Sequence, residues 1–319
     1  AYRQKNHTNY IWGGLPMARG GGHLGLPRDT FLGHDWEYSD DQTTGYFATL
    51  EQGFANDWTL RLAAMQSKTD TDVLASSVWE YDRHYLWTEA MEQKETGYDL
   101  ALSGPFQLLG QAHDLTIGVS KRKLDYRSGK AWSDFIDTGS NPFDWDPGAH
   151  PKPDYVTGSD GLPETTTQDS VYASTRLRLS EPLSLILGGR VDWYEFDDSA
   201  NSEGNFKVTR NLTRYAGLVY DLDTNHSVYV SYTDIFKPQS SKGLDRKVID
   251  PVVGENYEMG IKGEYFGGAL NTNMAVFQID QKNRAQELPE SKGCGSGAAS
   301  ACYEAAGLVR SRGIDLEIQ

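Results

Sequence analysis

Aromatic side chains gather in three stretches of this sequence. Tyr10 and Trp12 lie in NYIWGG, Trp79, Tyr81, Tyr85 and Trp87 in VWEYDRHYLW, and Trp132, Phe135, Phe143, Trp145 and Tyr155 further on. Their chemistry is contact: large area at low entropic cost, with a polar atom on Tyr and Trp to fix orientation. The same rings serve equally well to hold their own loops together. Cys294 and Cys302, the only two cysteines, stand eight apart across GCGSGAASACYE. The flexible spacer lets them meet, and an oxidising surface keeps such a pair joined, so a disulfide is expected. Two free thiols or a metal pair are the alternatives, and C-x7-C matches no common zinc pattern.

Other motifs dissolve on inspection. Gly20, Gly22 and Gly25 satisfy G-x-G-x-x-G, yet no apolar strand precedes them and Leu26-Pro27 stands where a helix should begin, so no dinucleotide site is expected. Asp144-Trp145-Asp146-Pro147-Gly148 resembles part of a calcium loop but lacks the later bidentate Glu, and reads as a turn. The seven histidines are scattered without zinc-ligand spacing. No Ser–His–Asp set or carboxylate pair stands out, so the chain is not read as an enzyme. A net charge of −15 with no basic patch argues against nucleic acid as a partner.

The elements that must carry these residues follow from alternation. In VYASTRLRLSEPLSLILGGRVDWYE (171–195), Val171, Ala173, Thr175, Leu177 and Leu179 alternate with Tyr172, Ser174, Arg176 and Arg178. Past the Glu181-Pro182 turn, Leu183, Leu185, Leu187, Val191 and Trp193 alternate with Ser184, Arg190, Asp192 and Tyr194. The same period recurs from Tyr46 to Ile318, and we count about eleven strands. No stretch approaches the roughly 18 apolar residues of a spanning helix. Connectors sort by length: 53–57, 109–114, 181–182, 223–226 and 266–268 are tight, whereas 69–90, 128–165, 196–207, 235–253 and 282–305 are long and polar. A soluble sandwich, with the apolar face as core and the arginines in solvent, is the competing reading of the alternation. It gives no reason for that sorting. An outer-membrane barrel does, with apolar residues toward lipid, polar residues toward a wet lumen, short periplasmic turns and long extracellular loops. The fold class expected is therefore all-β, an antiparallel transmembrane β-barrel. Ala1 opens without a signal peptide, and the alternating 313–319 stops in mid-strand, so residues 1–319 read as a partial barrel domain, an internal fragment.

Four longer stretches carry a family resemblance: GGLPM with LPRDTFLGHDWEYSDDQTTGYFATLEQGFANDWTLRLA (13–63), LSLILGGRVDWYE (183–195), RYAGLVYDLDTNHSVYVSYTDIFKPQ (214–239) and DPVVGENYEMGIKGEYFGGALNTNMAVFQIDQKNRAQ (250–286). They resemble TonB-dependent ferric siderophore receptors, nearest to those for pyoverdine- and coprogen-like hydroxamate siderophores. The resemblance implies a barrel of about 22 strands around an N-terminal plug, with plug and remaining strands outside this chain. It also implies outer-membrane localisation and lipid contact, and capture of a ferric siderophore by the loops. Import would be driven by the TonB–ExbB–ExbD complex through the absent N-terminal region. Iron arrives already chelated, so no cofactor and no protein metal ligands are implied. A general porin is the alternative. On this reading Tyr10, Trp12, Tyr81, Trp87, Trp132, Trp145 and Arg190 are the candidate ligand-binding residues, the rings stacking on a chromophore or on hydroxamate arms. Arg190, placed on the lumen face near the top of its strand, has Asp192 or the plug as alternative partners. Asp134, Asp137, Asp144, Asp146, Asp154 and Asp160 make one loop acidic, which suits a ligand with cationic arms.

Overall fold

Among the described residues twelve strands pair edge to edge, most of them alternating so that one face is oily and the other wet. They are β1 (Tyr2–Thr8), β2 (Tyr38–Gly53), β3 (Thr59–Glu80), β4 (Arg83–Leu108), β5 (Gln111–Asp137), β6 (Glu164–Arg178), β7 (Leu183–Asp198), β8 (Phe206–Asp221), β9 (His226–Lys237), β10 (Val252–Tyr265), β11 (Leu270–Lys292) and β12 (Ala301–Ile318). The computed structural model describes residues 1–319 apart from 13, 19, 81–82, 138–140, 153–160, 201 and 295–299. Each strand pairs antiparallel with its successor, giving one meandering sheet. Among the described residues β1 pairs only with β2 and β12 only with β11, so the sheet is open at both edges.

Register carries one face across the whole sheet. Leu50, Leu62, Leu100, Val119, Val171, Val191 and Leu212 are successive direct partners from β2 to β8. Leu185, Leu218, Val230, Met259, Val276 and Ile314 continue the band from β7 to β12. On β4 the band runs from Leu108 up to Tyr98. That path is about 34 Å long and, at the tilt usual for membrane barrels, about 25 Å tall, the height of the apolar belt of an outer-membrane barrel. No second layer covers it: Leu187 is 39% and Leu316 73% exposed, and Leu177 is half-buried. A sandwich would bury these residues between sheets, so the soluble alternative fails here.

The other face is polar and internally bonded. Tyr172 donates to Asp99 Oδ2 at 2.9 Å, and Arg61 lies 3.9 Å from Asp99. Tyr172, Tyr215 and Tyr229 lie flat over their cross-strand partners Gly118, Gly188 and Gly260, where an added Cβ would collide with the ring. Glycine at these positions lets bulky rings lie along the wall instead of projecting into the interior.

Two expectations are corrected. Among the described residues there are twelve strands, not about eleven, because β1 (YRQKNHT) has no apolar alternation and is held by its ladder to β2. Much of the expected loop sequence is strand: 69–80 belongs to β3 and 83–90 to β4, and 128–137 and 282–292 extend β5 and β11. Above the band these strands leave the bilayer, so lipid no longer imposes alternation on their sequence. The sorting of turns survives, with long connectors such as 9–37 and 138–163 at the end opposite the tight turns.

Candidate ligand-binding site at the loop end

Beyond the apolar band β3 outruns its neighbour: β2 begins at Tyr38, paired with Leu74, while β3 continues to Glu80. An edge exposed in this way needs partners for its backbone. Segment 9–37 supplies them at both of its ends. The Trp12 amide donates to Ser76 O at 2.8 Å. Glu37 Oε2 accepts from Ser76 N at 2.9 Å, and Glu37 Oε1 accepts from Ser76 Oγ at 2.6 Å and from His34 N at 2.9 Å. His34 Nδ1 lies 2.6 Å from the same oxygen. Glu37 and His34 are fully buried, so this carboxylate organises a dry junction.

Aromatic and imidazole rings close over it. His34 stacks on Trp36 with centroids 4.5 Å apart, and Trp145 stacks on His84 at 4.5 Å and on His150 at 5.7 Å. Trp145 Nε1 donates to Gly33 O and Trp36 Nε1 to His150 O, each at 2.9 Å, which laces segment 138–163 to segment 9–37. On β3 and β4, Ser76 and His84 share the face of Leu100, whereas Val73, Ala75 and Trp87 share the face of Asp99. On that second face Tyr10 packs edge-on against Trp87 at 6.5 Å and Trp12 at 5.7 Å. Trp87 is buried and Trp12 is half exposed.

The candidates therefore separate. Tyr10, Trp12 and Trp87 form one aromatic group on the inward face of the β3–β4 hairpin, and Trp145 belongs to the histidine junction on the other. Arg190 is in neither and is not near the top of its strand: it is the eighth of sixteen residues in β7. Its Nε donates to Asp192 Oδ1 at 2.8 Å, and its other contacts are Ser120 at 3.2 Å, Ser170 at 2.5 Å and the Tyr172 ring. Trp132 pairs with Trp87 in the β4–β5 register, but its side chain, like those of Trp79, Asp134, Phe135 and Asp137, lies outside the described residues. Tyr81, Asp154, Tyr155 and Asp160 also lie outside them. Asp144 and Asp146 are exposed, and Asp146 Oδ1 accepts from Gly148 N in the expected turn. Cys294 and Cys302 are joined, with Cα atoms 5.0 Å apart, at the tip of the β11–β12 hairpin.

Sequence reading missed His34, Glu37, Ser76, His84 and His150, because nothing in their spacing joins residues brought together from three segments. Among the described residues no group of three or more His, Cys, Asp or Glu is arranged to hold a metal ion. The junction is instead sensitive to protons. Burial first, then the neighbouring His34 and His150, push His84 from 6.5 down to about 4, against the opposing pull of Glu37. The folded value lies below the unfolded one, so stability from neutral His84 is complete above about pH 6.5 and is lost as the pH falls toward 4. NMR of ring-labelled histidine should show His84 titrating near 4, and a midpoint near 6.5 would contradict the buried junction.

Comparison with known proteins matches this architecture. A family model described as TonB dependent receptor-like, beta-barrel, matches residues 2–319. The ferric-pyoverdine 358 receptor of Pseudomonas putida is 35% identical over 322 residues, covering 95% of this chain and 38% of that protein. The ferripyoverdine receptor of Pseudomonas aeruginosa is 35% identical over 266 residues, covering 80% of this chain and 32% of its own length. A solved structure of the pyoverdine outer membrane receptor FpvA from Pseudomonas aeruginosa, bound to pyoverdine, superposes with a TM-score of 0.85 at 31% identity, over 99% of this chain and 48% of that one. The chain thus spans less than half the length of each of these relatives.

Proposed function

Because the chain belongs to the TonB-dependent receptor-like β-barrel family, we propose that it is part of a receptor that captures a ferric siderophore at its loop end and imports it with energy from TonB. It is an outer-membrane β-barrel protein, and its family and relatives are transport receptors, not enzymes. The observation that carries the proposal is the pairing of a polar, ring-lined inner wall with an aromatic group at its upper end. Tyr10, Trp12 and Trp87 sit on the face that continues into the wall of Asp99, Tyr172 and Arg190, so a chelate held at the rings lies over the route inward. Trp12 is half exposed, and its ring meets that of Trp87 edge-on. A general porin has no need of that aromatic capture surface.

The ligand is a pre-formed iron chelate, so recognition falls to contact area and hydrogen bonds instead of direct iron ligation. The relatives' names make pyoverdine-type chelates the first to test. TonB, with ExbB and ExbD, would act through a plug beyond this chain. The Cys294–Cys302 link would hold the tip of the β11–β12 hairpin outside the cell, and alkylation of the unreduced protein should then modify neither cysteine.

Titration of the full-length protein with a panel of ferric siderophores, followed by tryptophan fluorescence, tests the proposal. At least one chelate should quench at submicromolar concentration, and Trp12→Ala should weaken it about tenfold, the loss of one well-packed aromatic contact. Quenching by no siderophore would overturn the reading.

A further inference from the structure

Beneath the aromatic group, the inward face of the β3–β4 hairpin holds a buried charge that capture by rings does not use. Glu89 follows Trp87 on the same face of β4, about 7 Å nearer the membrane along the strand, and its direct partners are Val73 on β3 and Lys130 on β5. Val73 and Trp87 belong to a small apolar cluster against which Tyr10 and Met91 pack. The Glu89 side chain is only 7% exposed, so a carboxylate is set into the edge of that cluster.

A carboxylate persists in such surroundings only where it is paired. Glu89 Oε1 accepts from Ser128 Oγ and lies 3.1 Å from Lys130 Nζ. The two partners are unequally covered. Lys130 is half exposed, and an ammonium carries three N–H donors, which one carboxylate oxygen cannot occupy together. Among the described residues Glu89 is its one ionic partner. A buried anchor thus holds an ammonium with unused donors at the lumen surface beside the rings.

Stability alone gives little reason for this pair. Replacing a buried ion pair by apolar residues of similar size is often neutral or stabilising, and here Val73, Trp87 and Met91 already surround the position. Nor does the pair act through a long-range field, because its charges cancel at a distance. Its distinctive product is a directed donor next to aromatic surface. That combination matches a ligand whose flat or apolar part meets the rings while an anionic oxygen accepts a hydrogen bond. A ferric chelate, with anionic oxygens around its metal, is such a ligand.

The geometry points to Lys130 as the residue that reads an anionic oxygen of the captured chelate, with Glu89 as the positioning residue that holds its ammonium beside Trp87. This rests on the siderophore-receptor reading and adds to it a polar contact that rings alone do not supply. Two sources carry the same chemistry: an oxygen bound to the iron, or a free carboxylate elsewhere on the chelator. Either accepts a short, charge-assisted hydrogen bond from the ammonium.

Fluorescence titration of the full-length protein with ferric hydroxamate and ferric pyoverdine chelates tests this. For a chelate that quenches the wild type, Lys130→Met should weaken binding about tenfold or more, the loss of one hydrogen bond to a charged group, and Lys130→Arg should restore most of it. Glu89→Gln, which keeps the anchor's shape without its charge, should weaken binding severalfold. The double variant E89Q/K130M leaves no buried carboxylate unpaired and should bind as weakly as Lys130→Met. Recovery of wild-type affinity in the double variant would assign the loss to an orphaned Glu89 and overturn the proposal, as would unchanged affinity in Lys130→Met. Amidating the chelator's free carboxylates separates the two sources: the wild type falls to the affinity of Lys130→Met if a carboxylate is read, and keeps its advantage if iron-bound oxygens are read. Quenching of the wild type by no chelate would overturn the siderophore reading itself, whereas the variants decide this inference alone.

Discussion

Leu187→Arg is expected to cost about 2–4 kcal/mol of folding stability in a bilayer, while Leu183→Arg on the same strand costs about 0–1 kcal/mol. Both side chains are on the outward face of β7. Leu187 lies midway along the membrane part of that strand, flanked by Thr175 and Ala216, whereas Leu183 begins the strand beside the tight turn. An arginine near the interface can reach water with its guanidinium, and one at the centre must drag water or headgroups inward. The depth dependence is what makes this pair decisive. A leucine that is 39% exposed to water in a soluble sheet would accept arginine with a change of about 0.5 kcal/mol or less at either position. Urea titration of the full-length protein in phospholipid vesicles, read by gel mobility, gives both values. Equal costs at the two positions would remove lipid from that face.

Strands within the bilayer were legible because two solvents impose one rule on them. Each side chain faces either lipid or the wet interior, so Val171 through Trp193 write their environment directly as alternation. Where that constraint ends, legibility ends with it. Residues 69–80 (TDTDVLASSVWE) are polar or small on both faces for several residues, since both faces meet water or loops, and they read as loop although their ladder is unbroken up to Val78. β1 fails for a related reason. YRQKNHT is exposed on both faces and owes its shape to hydrogen bonds with β2, a pairing that side-chain pattern does not record.

The candidate site divides along similar lines. Aromatic enrichment found Tyr10, Trp12 and Trp87, which do meet, because large rings seldom stay in polar loops without packing against something. It also grouped Trp145 with them, and alternation on β3 and β4 puts that ring on the opposite face. Arg190 reads in the sequence as a lumen-facing charge near the top of its strand, with Asp192 as an alternative partner. On the inner wall such a charge is satisfied locally, here by Asp192, Ser120 and Ser170. The histidine junction was the least legible feature. His34, His84 and His150 stand 50 and 66 residues apart, and only the folding of two loops onto one hairpin brings the His84 and His150 rings within 6 Å of His34.

Glu37→Ala is expected to open that junction while leaving the barrel folded. The carboxylate accepts from His34 N, Ser76 N and Ser76 Oγ inside a fully buried pocket, and no water-exposed route replaces it. Removing the acceptor leaves three buried donors unmet, each at a cost of about 1–3 kcal/mol. Here that energy is local, since segments 9–37 and 138–163 can lift from β3 without breaking the ladders in the membrane. Hydrogen exchange should therefore accelerate by about 100-fold or more in peptides covering 70–80, at 1.4 kcal/mol per tenfold, and stay unchanged in peptides covering 171–178. Glu37→Gln keeps the shape and one acceptor oxygen and should show a smaller acceleration, about tenfold. The ligand feels the same change: Tyr10 and Trp12 lie on the freed segment, so binding must also order them, and siderophore affinity should fall in the same rank order. Unchanged exchange at 70–80 in Glu37→Ala would mean that the junction does not hold the loops. Accelerated exchange with full affinity would separate the latch from ligand capture.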